Sequence, residues 1–566
     1  MTSGLHRRLA AGLLGLTLVC APLLFGGATP GGRAALQMLA LIALALMLRD
    51  DDAVDDLRRA QLPALAVAGV ALWGLLQSLP WPRAALRALS PAADALWRDA
   101  HALLGDAVGA PMISDAAWFA PSLAPVASRA AALQWFATAA AFLAAAALGR
   151  QRDLRRLLLS ALIVGGVAQA IFGGIQRLRG VARIWGVEVP GDPARLRGTF
   201  VNPDHAAYFL GLTLCVAFSW LVWNLRRGRR YDRFDDHLLR IAAPVLVCVV
   251  LSLGVVFTGS RGGLVATLGA LVGQSVLLVV AQRRHQADAP SSDAHAAVTT
   301  SDVAAWSRAR RLAPLGAAAL GLALIGVALA VIGPSDGLRR WRETAAYDLA
   351  TDGRRAAYAD GLALGARFPL VGVGLGVFGD AFPMVQRPSL GGTWQHLHSD
   401  VLELWITGGV PAVLLMLIGG GALARRLLHA RQRGRRSEDR AVAVAGLGVA
   451  AFAGAFALVD FGITTPANGY AVAIVLGLAF ATPCGRLAQR RPGRRVPIEA
   501  SAAPSATMPL DAPSVAERDR ARAQDPPRDQ LDFEQMRPIA RGDRQTIDRH
   551  PRTAADRPRG DVPPVP

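Results

Sequence analysis

The sequence contains no lysine, so every one of its 61 basic side chains is an arginine. Charge of either sign is scarce, at 18% of 566 residues, and aromatic residues make up only 6%. The four cysteines (Cys20, Cys215, Cys248, Cys484) are scattered through apolar stretches without metal-ligand spacing, which argues against a disulfide scaffold and a thiolate metal site. There is no HExxH, no CxxC and no aspartate-rich metal pattern, so neither a metal nor another cofactor is expected. No internal repeat of roughly 20 to 50 residues is evident.

What is present is apolar: 52% of the residues are hydrophobic and the mean hydropathy is +0.33, outside the range of ordinary soluble domains. A spanning helix needs roughly 20 mostly apolar residues. Twelve runs answer to that length, near 9–28, 34–48, 62–80, 129–148, 157–175, 205–224, 241–258, 262–281, 313–333, 401–424, 441–459 and 468–484. The expected fold is therefore all-α, a polytopic membrane bundle of about twelve helices. The first run follows Arg7 and Arg8 but is long and closely followed by another, so it reads as a retained anchor and not as a cleaved signal.

A net charge of +19 raises the question of nucleic acid, and the placement of the arginines answers it. They fall mainly between the apolar runs and in the tail, which is a topology signal, and no nucleic-acid partner is expected. With the N-terminus cytoplasmic, the inside loops hold Arg150, Arg152, Arg155 and Arg156, then Arg226 through Arg240, then seven arginines from Arg425 to Arg440. Both termini then lie inside, and 81–128, 176–204 and 334–400 lie outside. The last of these is too long for a simple connector. Apolar residues at helical spacing over 336–367 predict amphipathic helices on the outer membrane surface. Residues 1–484 form the membrane domain. The remaining 82 residues, with 13 prolines, 16 arginines and 12 acidic residues, read as a disordered cytoplasmic tail that can lie against anionic lipid.

Polar residues break the outer edge of the bundle at three places. Segment 176–204 carries Arg177, Arg179, Arg183, Arg195 and Arg197, against the usual bias of outside segments, and suggests an anionic ligand. Thr258-Gly259-Ser260-Arg261-Gly262-Gly263 interrupts a run of 41 apolar residues, where glycines allow a tight turn. Arg261 thereby sits at a helix N-terminus whose free amides favour an anion, and its fork suits paired phosphate oxygens. Gln395-His396-Leu397-His398-Ser399-Asp400 precedes the run starting at Val401. There Ser399 or Asp400 can cap the helix, Asp400 and Glu403 have capping-box spacing, and His398 is positioned as a general base. His396 lies two residues earlier. Gly372 to Gly379 contains a formal GxGxxG, but no alternating strand and helix pattern surrounds it, so it reads as a loop in close contact with a substrate or a helix.

These breaks, in this order, resemble the O-antigen ligase and polymerase superfamily of bacterial envelope glycosyltransferases. The resemblance covers roughly residues 150–480 and rests on Arg197-Gly198-Thr199-Phe200-Val201-Asn202-Pro203, the Thr258 to Gly263 turn, and Pro369 to Phe378 in the long loop. It continues through His398-Ser399 followed by Gly409, and ends with Asp460-Phe461 and Pro466-Ala467-Asn468. It implies a twelve-span, metal-independent and inverting transferase of the bacterial inner membrane, with its active site and long loop facing the periplasm. The implied donor is a glycan on undecaprenyl pyrophosphate, and the acceptor hydroxyl belongs to a glycan or a lipid A core. His398 would be the base. Arg261, Arg197 and Arg195 would hold the pyrophosphate, with Gly262, His396, Ser399 and Asp400 in support. Gly409-Val410-Pro411-Ala412 departs from the ligase pattern, which leaves ligase, polymerase and protein glycosylation open. Two rival classes also fit a bundle of this kind, a secondary transporter or flippase and a non-catalytic envelope assembly subunit. A transporter should carry its ionisable residues near the bilayer midplane on interrupted helices, whereas here they gather at the outer rim.

Overall fold

The structure is a computed structural model that describes residues 2–108, 118–226, 234–287 and 353–484. The expected span at 313–333, the stretch 334–352 of the long loop and the tail beyond Cys484 lie outside the described residues. Helices dominate. They are α1 (Thr2–Leu23), α2 (Pro30–Leu48), α3 (Asp51–Arg59), α4 (Gln61–Gln77), α5 (Arg83–Leu89), α6 (Pro91–Val108), α7 (Pro125–Leu148), α8 (Arg152–Leu178), α9 (Pro203–Arg226), α10 (Phe234–Phe257) and α11 (Arg261–Ala287). The long loop and C-terminal part supply α12 (Gly353–Arg367), α13 (Phe378–Ala381), α14 (Asp400–Arg433), α15 (Ser437–Val459) and α16 (Pro466–Phe480). Strand structure among the described residues is limited to two antiparallel pairs, Trp81–Pro82 with Trp118–Phe119 and Arg183–Ile184 with Val187–Glu188.

Eight of these helices are long and apolar enough to cross a membrane, and α3 with α4, bent by 78°, makes a possible ninth span. The chain is a multi-pass membrane protein. Helix α9 is its centre, with 89% of its apolar window buried, and α8, α10, α11 and α15 pack around it. Helix α7 packs against α2, α4 and α16. Its alanine-rich face lets backbones approach closely: a Cβ on Gly477 of α16 would strike the Phe142 carbonyl.

One end of the bundle is braced by arginines. Arg155, fully buried, donates to Asp439 at 2.9 Å and to the Gly149 carbonyl. Arg156 pairs with Glu438, Arg150 with Asp56 and Arg7 with Asp50. Arg426 reaches the Thr482 carbonyl and Arg431 the Leu277 carbonyl, so the same end of α11, α14 and α16 is tied together.

Helix α14 is broken. Gly409 has φ 63° and ψ −166°, and Pro411 two residues on has no N–H to give the Thr407 carbonyl. The freed carbonyls at the break are taken up from outside the helix, as a non-aqueous setting requires. Val373 N–H donates to Ile406 O at 2.9 Å, Gly374 N–H to Thr407 O at 3.0 Å, and Trp73 Nε1 to Gly408 O at 2.7 Å. Gln77 of α4 donates to both Val371 O and Thr407 O and accepts from Leu375 N–H. The glycine-rich loop thus lies in the break of α14. A Cβ on Gly409 would strike the Leu370 carbonyl, and one on Gly372 (φ +81°) the Thr407 carbonyl.

Of the stretch 336–367, where amphipathic helices are expected, residues 353–367 form helix α12. It packs on α14, with Gly361 against Leu397 and Ile406 and Gly365 against the Trp405 ring. It forms a wall over the start of α14 because its glycines admit those bulky side chains.

Candidate active site

At the end of the bundle opposite the arginine braces, the starts of α9, α11, α14 and α16 meet the end of α15. Phe461, just after α15, lies at the junction. The His396 ring stacks on it at 4.2 Å, the His398 ring meets it edge-on at 4.9 Å, and the His205 ring of α9 meets it edge-on at 4.8 Å. A Cβ on Gly262 of α11 would come within 3.0 Å of Val459, and one on Gly263 within 2.7 Å of Ala207. The Arg261 turn is therefore packed against both the end of α15 and the first turns of α9.

His398 has φ +59°, an uncommon conformation for a side chain with a Cβ. The Tyr358 hydroxyl of α12 donates to its carbonyl at 2.8 Å, and Ser399 immediately after it caps α14 by accepting from Leu402 N–H. The backbone is fixed on both sides. Its Nδ1 lies 2.9 Å from Asp460 Oδ1, an oxygen that also accepts from Phe461 N–H at 2.8 Å. A carboxylate can only accept, so Nδ1 carries the proton that faces Asp460, and in the neutral ring the Nε2 lone pair is left for another partner. The side chain is 26% exposed while that of Asp460 is 4% exposed, so the buried acid orients an accessible imidazole. Asp460 Oδ2 faces Arg354 of α12 at 3.9 Å.

A second imidazole and carboxylate pair stands beside the first. His396 Nδ1 lies 2.9 Å from Glu403 Oε1, and Glu403 Oε2 accepts from Leu397 N–H at 2.9 Å. Burial opposes a charge on His396, but the hydrogen bond to Glu403 and the carboxylates of Glu403, Asp400 and Asp460 outweigh it and raise its pKa. These contacts correct the expected capping box. Ser399 is the cap, Glu403 turns to His396 and Leu397, and Asp400 accepts from Gly462 N–H at 2.9 Å and Ile463 N–H at 3.1 Å. Both acids are spent on holding the loops around Phe461, which a local pattern could not reveal.

The arginines divide. Arg261 is the first residue of α11, partly buried, behind an N-cap in which Ser260 accepts from Gly263 N–H. Arg195 reaches that turn, donating to Thr258 O at 2.7 Å and pairing with Asp204 at 2.8 Å, with a third of its side chain exposed. Arg197 lies deeper. It is 1% exposed, its guanidinium donates to Pro190 O and Asp192 O, and burial beside Arg195 lowers its pKa. It staples the loop before α9, and its fork is turned to backbone carbonyls and away from any surface. Among the described residues no set of three or more His, Cys, Asp or Glu side chains is grouped to hold a metal ion.

Asp460, Glu403, Arg354, Tyr358 and His205 all belong to this cluster, and none was singled out as a site residue from the sequence. Asp460 carried a usable signal, an acid closing an apolar run at the membrane edge. Arg354 and Tyr358 carried none.

Residues 246–417 match the family described as O-antigen ligase. No curated protein matches the chain. The match takes in the Arg261 turn, the glycine-rich loop, His398 and the break in α14, and over those residues it bears out the resemblance to the O-antigen ligase and polymerase superfamily. That family points to an O-antigen ligase-type glycosyltransferase of polysaccharide biosynthesis.

Proposed function

We propose that this cluster transfers a glycan from undecaprenyl pyrophosphate to an acceptor hydroxyl, with inversion and without a metal, at the periplasmic face of the inner membrane. The observation that carries the reading is the His398 and Asp460 pair, with Nδ1 anchored and Nε2 left free. The acceptor hydroxyl attacks the anomeric carbon as His398 Nε2 takes its proton, and Asp460 stabilises the resulting imidazolium. The bond from the anomeric carbon to the pyrophosphate oxygen breaks with its electron pair going to that oxygen. Attack from the opposite face inverts the centre. Arg261 at its helix N-terminus, with Arg195 across the turn, meets the charge that develops on the leaving pyrophosphate. Arg197 supports this site indirectly, by holding the loop that carries Arg195.

The lipid tail stays in the bilayer throughout, and the acceptor is a glycan or a lipid A core. The test uses purified protein with a polyprenyl-linked donor and acceptor. His398→Ala abolishes transfer with the protein still folded and inserted. Near-wild-type turnover in that variant would remove the base from the mechanism. A wild-type protein that binds donors but never transfers them would overturn the enzymatic reading.

A further inference from the structure

The reaction above uses one of two histidine and carboxylate pairs and leaves the other without a task. The pairs are built alike, each with Nδ1 at 2.9 Å from a buried acid, and both rings rest on Phe461. They differ in surroundings. His398 shares Asp460 with Arg354, whose positive charge draws on the same carboxylate. His396 has Glu403 as its side-chain partner, and that carboxylate's other oxygen is held by a backbone N–H. The His396 side chain is 36% exposed, so its Nε2 edge can meet a ligand while Nδ1 stays anchored.

From this geometry we infer that His396 acts as an imidazolium that binds the pyrophosphate of the lipid-linked donor through Nε2–H, dividing the work with His398, which must be neutral to accept the acceptor proton. This rests on the transferase reading and adds a residue to its donor site. A cation on the leaving-group side is useful there because the pyrophosphate gains negative charge as the glycosidic bond breaks. An imidazolium can also hand Nε2–H to the departing oxygen, with the electron pair left on nitrogen, and regain a proton from water. The groups that face His396 are consistent with a held positive charge. Glu403 and Asp400 come from α14 and Asp460 from the end of α15, while the histidines His398 and His205 are its opposing neighbours. Glu403 is thereby more than a loop anchor, since it keeps the proton on its partner.

The experiment measures binding of undecaprenyl pyrophosphate to the full-length protein in nanodiscs between pH 5.5 and 8.5, for wild type, His396→Gln and Glu403→Gln. Wild-type affinity should fall about tenfold as the pH rises through the His396 titration, the loss of one charge-assisted hydrogen bond. His396→Gln should bind at the weaker level at every pH. Glu403→Gln should move the midpoint down toward that of an ordinary imidazole, because the anion that retains the proton is gone. It provides the test on a second residue if His396→Gln does not fold. A wild-type pH dependence kept in His396→Gln, or an unmoved midpoint in Glu403→Gln, overturns the role of His396 and leaves the transferase reading standing. Wild-type protein that binds no pyrophosphate lipid at any pH overturns both.

Discussion

Single residues carry the chemistry here, and their neighbours decide which of them can. His398 is legible from sequence because its constraint is local: Ser399 and the start of α14 follow it directly. Its orienting partner is 62 residues away, beyond the reach of any pattern of spacing. Replacing that partner should expose the difference between proton transfer and packing. Asp460→Asn keeps a side chain of the same size but no longer fixes the proton on Nδ1, so transfer should fall by about 10² to 10⁴, comparable to His398→Ala, while donor binding is retained. Single-turnover rates with saturating donor would check this, and an unchanged rate would mean that His398 needs no orienting acid. Among the arginines, neighbours in sequence have different surroundings. Arg195 and Arg197 are two residues apart, and one stands at the Arg261 turn while the other is buried under its own loop. Arg261→Lys preserves charge and loses the fork, so catalytic efficiency should drop strongly with insertion unaffected. Wild-type efficiency would identify Arg261 as a lipid anchor.

At the scale of elements, the glycine-rich loop and the break in α14 make one unit. The sequence shows the parts, a run of glycines that suits close contact and a Gly409 and Pro411 pair inside an apolar run, but nothing in it joins them. The joint is Gln77, whose amide satisfies two carbonyls and one N–H across three elements. Gln77→Leu should leave the Val371 carbonyl and the Leu375 N–H unpaired in an apolar setting, since Thr407 O keeps Gly374 N–H, and lower stability by about 1 to 3 kcal/mol for each one stranded, read as a fall in the melting temperature of the detergent-solubilised protein. An unchanged melting temperature would mean that the loop finds other partners. A second joint ties α12 to the loop after α13. Asp360 accepts from the side chain and the backbone N–H of Arg387, and this guanidinium hydrogen bond holds its carboxyl below the usual carboxylate range. A lowered pKa stabilises the folded loop at neutral pH, and that contribution is lost as pH falls through the depressed value. Hydrogen exchange of the amides around 386–392 should therefore quicken, relative to the intrinsic rate at each pH, on acidification past the ordinary aspartate range. Asp360→Asn should show that faster exchange already at neutral pH.

Across the whole molecule, the same charge asymmetry that sequence reading used for orientation reappears as architecture. The arginines of 150–156 and 425–440 do not merely flank spans. Several are locked to Glu438, Asp439, Asp56 and backbone carbonyls at one end of the bundle, whereas Arg261, Arg195 and the histidines gather at the other. Among the described residues the first end holds interhelical arginine pairs that brace the helices, and the second holds the groups with chemistry to perform. In the proposed topology the braced end is cytoplasmic, because loops rich in arginine resist translocation. The two ends can be distinguished in living cells. Gly391 and Gly392 lie exposed in the loop before Trp394, with open space where a Cβ would stand, and exposed loop tips are where inserted domains such as a reporter are tolerated. A second reporter fused after Cys484 marks the end of α16, next to the arginine braces. A phosphatase inserted at Gly391 should be active in the periplasm, and the same enzyme after Cys484 should be silent. Activity at both sites, or at neither, would overturn the orientation, and with it the placement of His398 on the side of the membrane where the proposed transfer occurs.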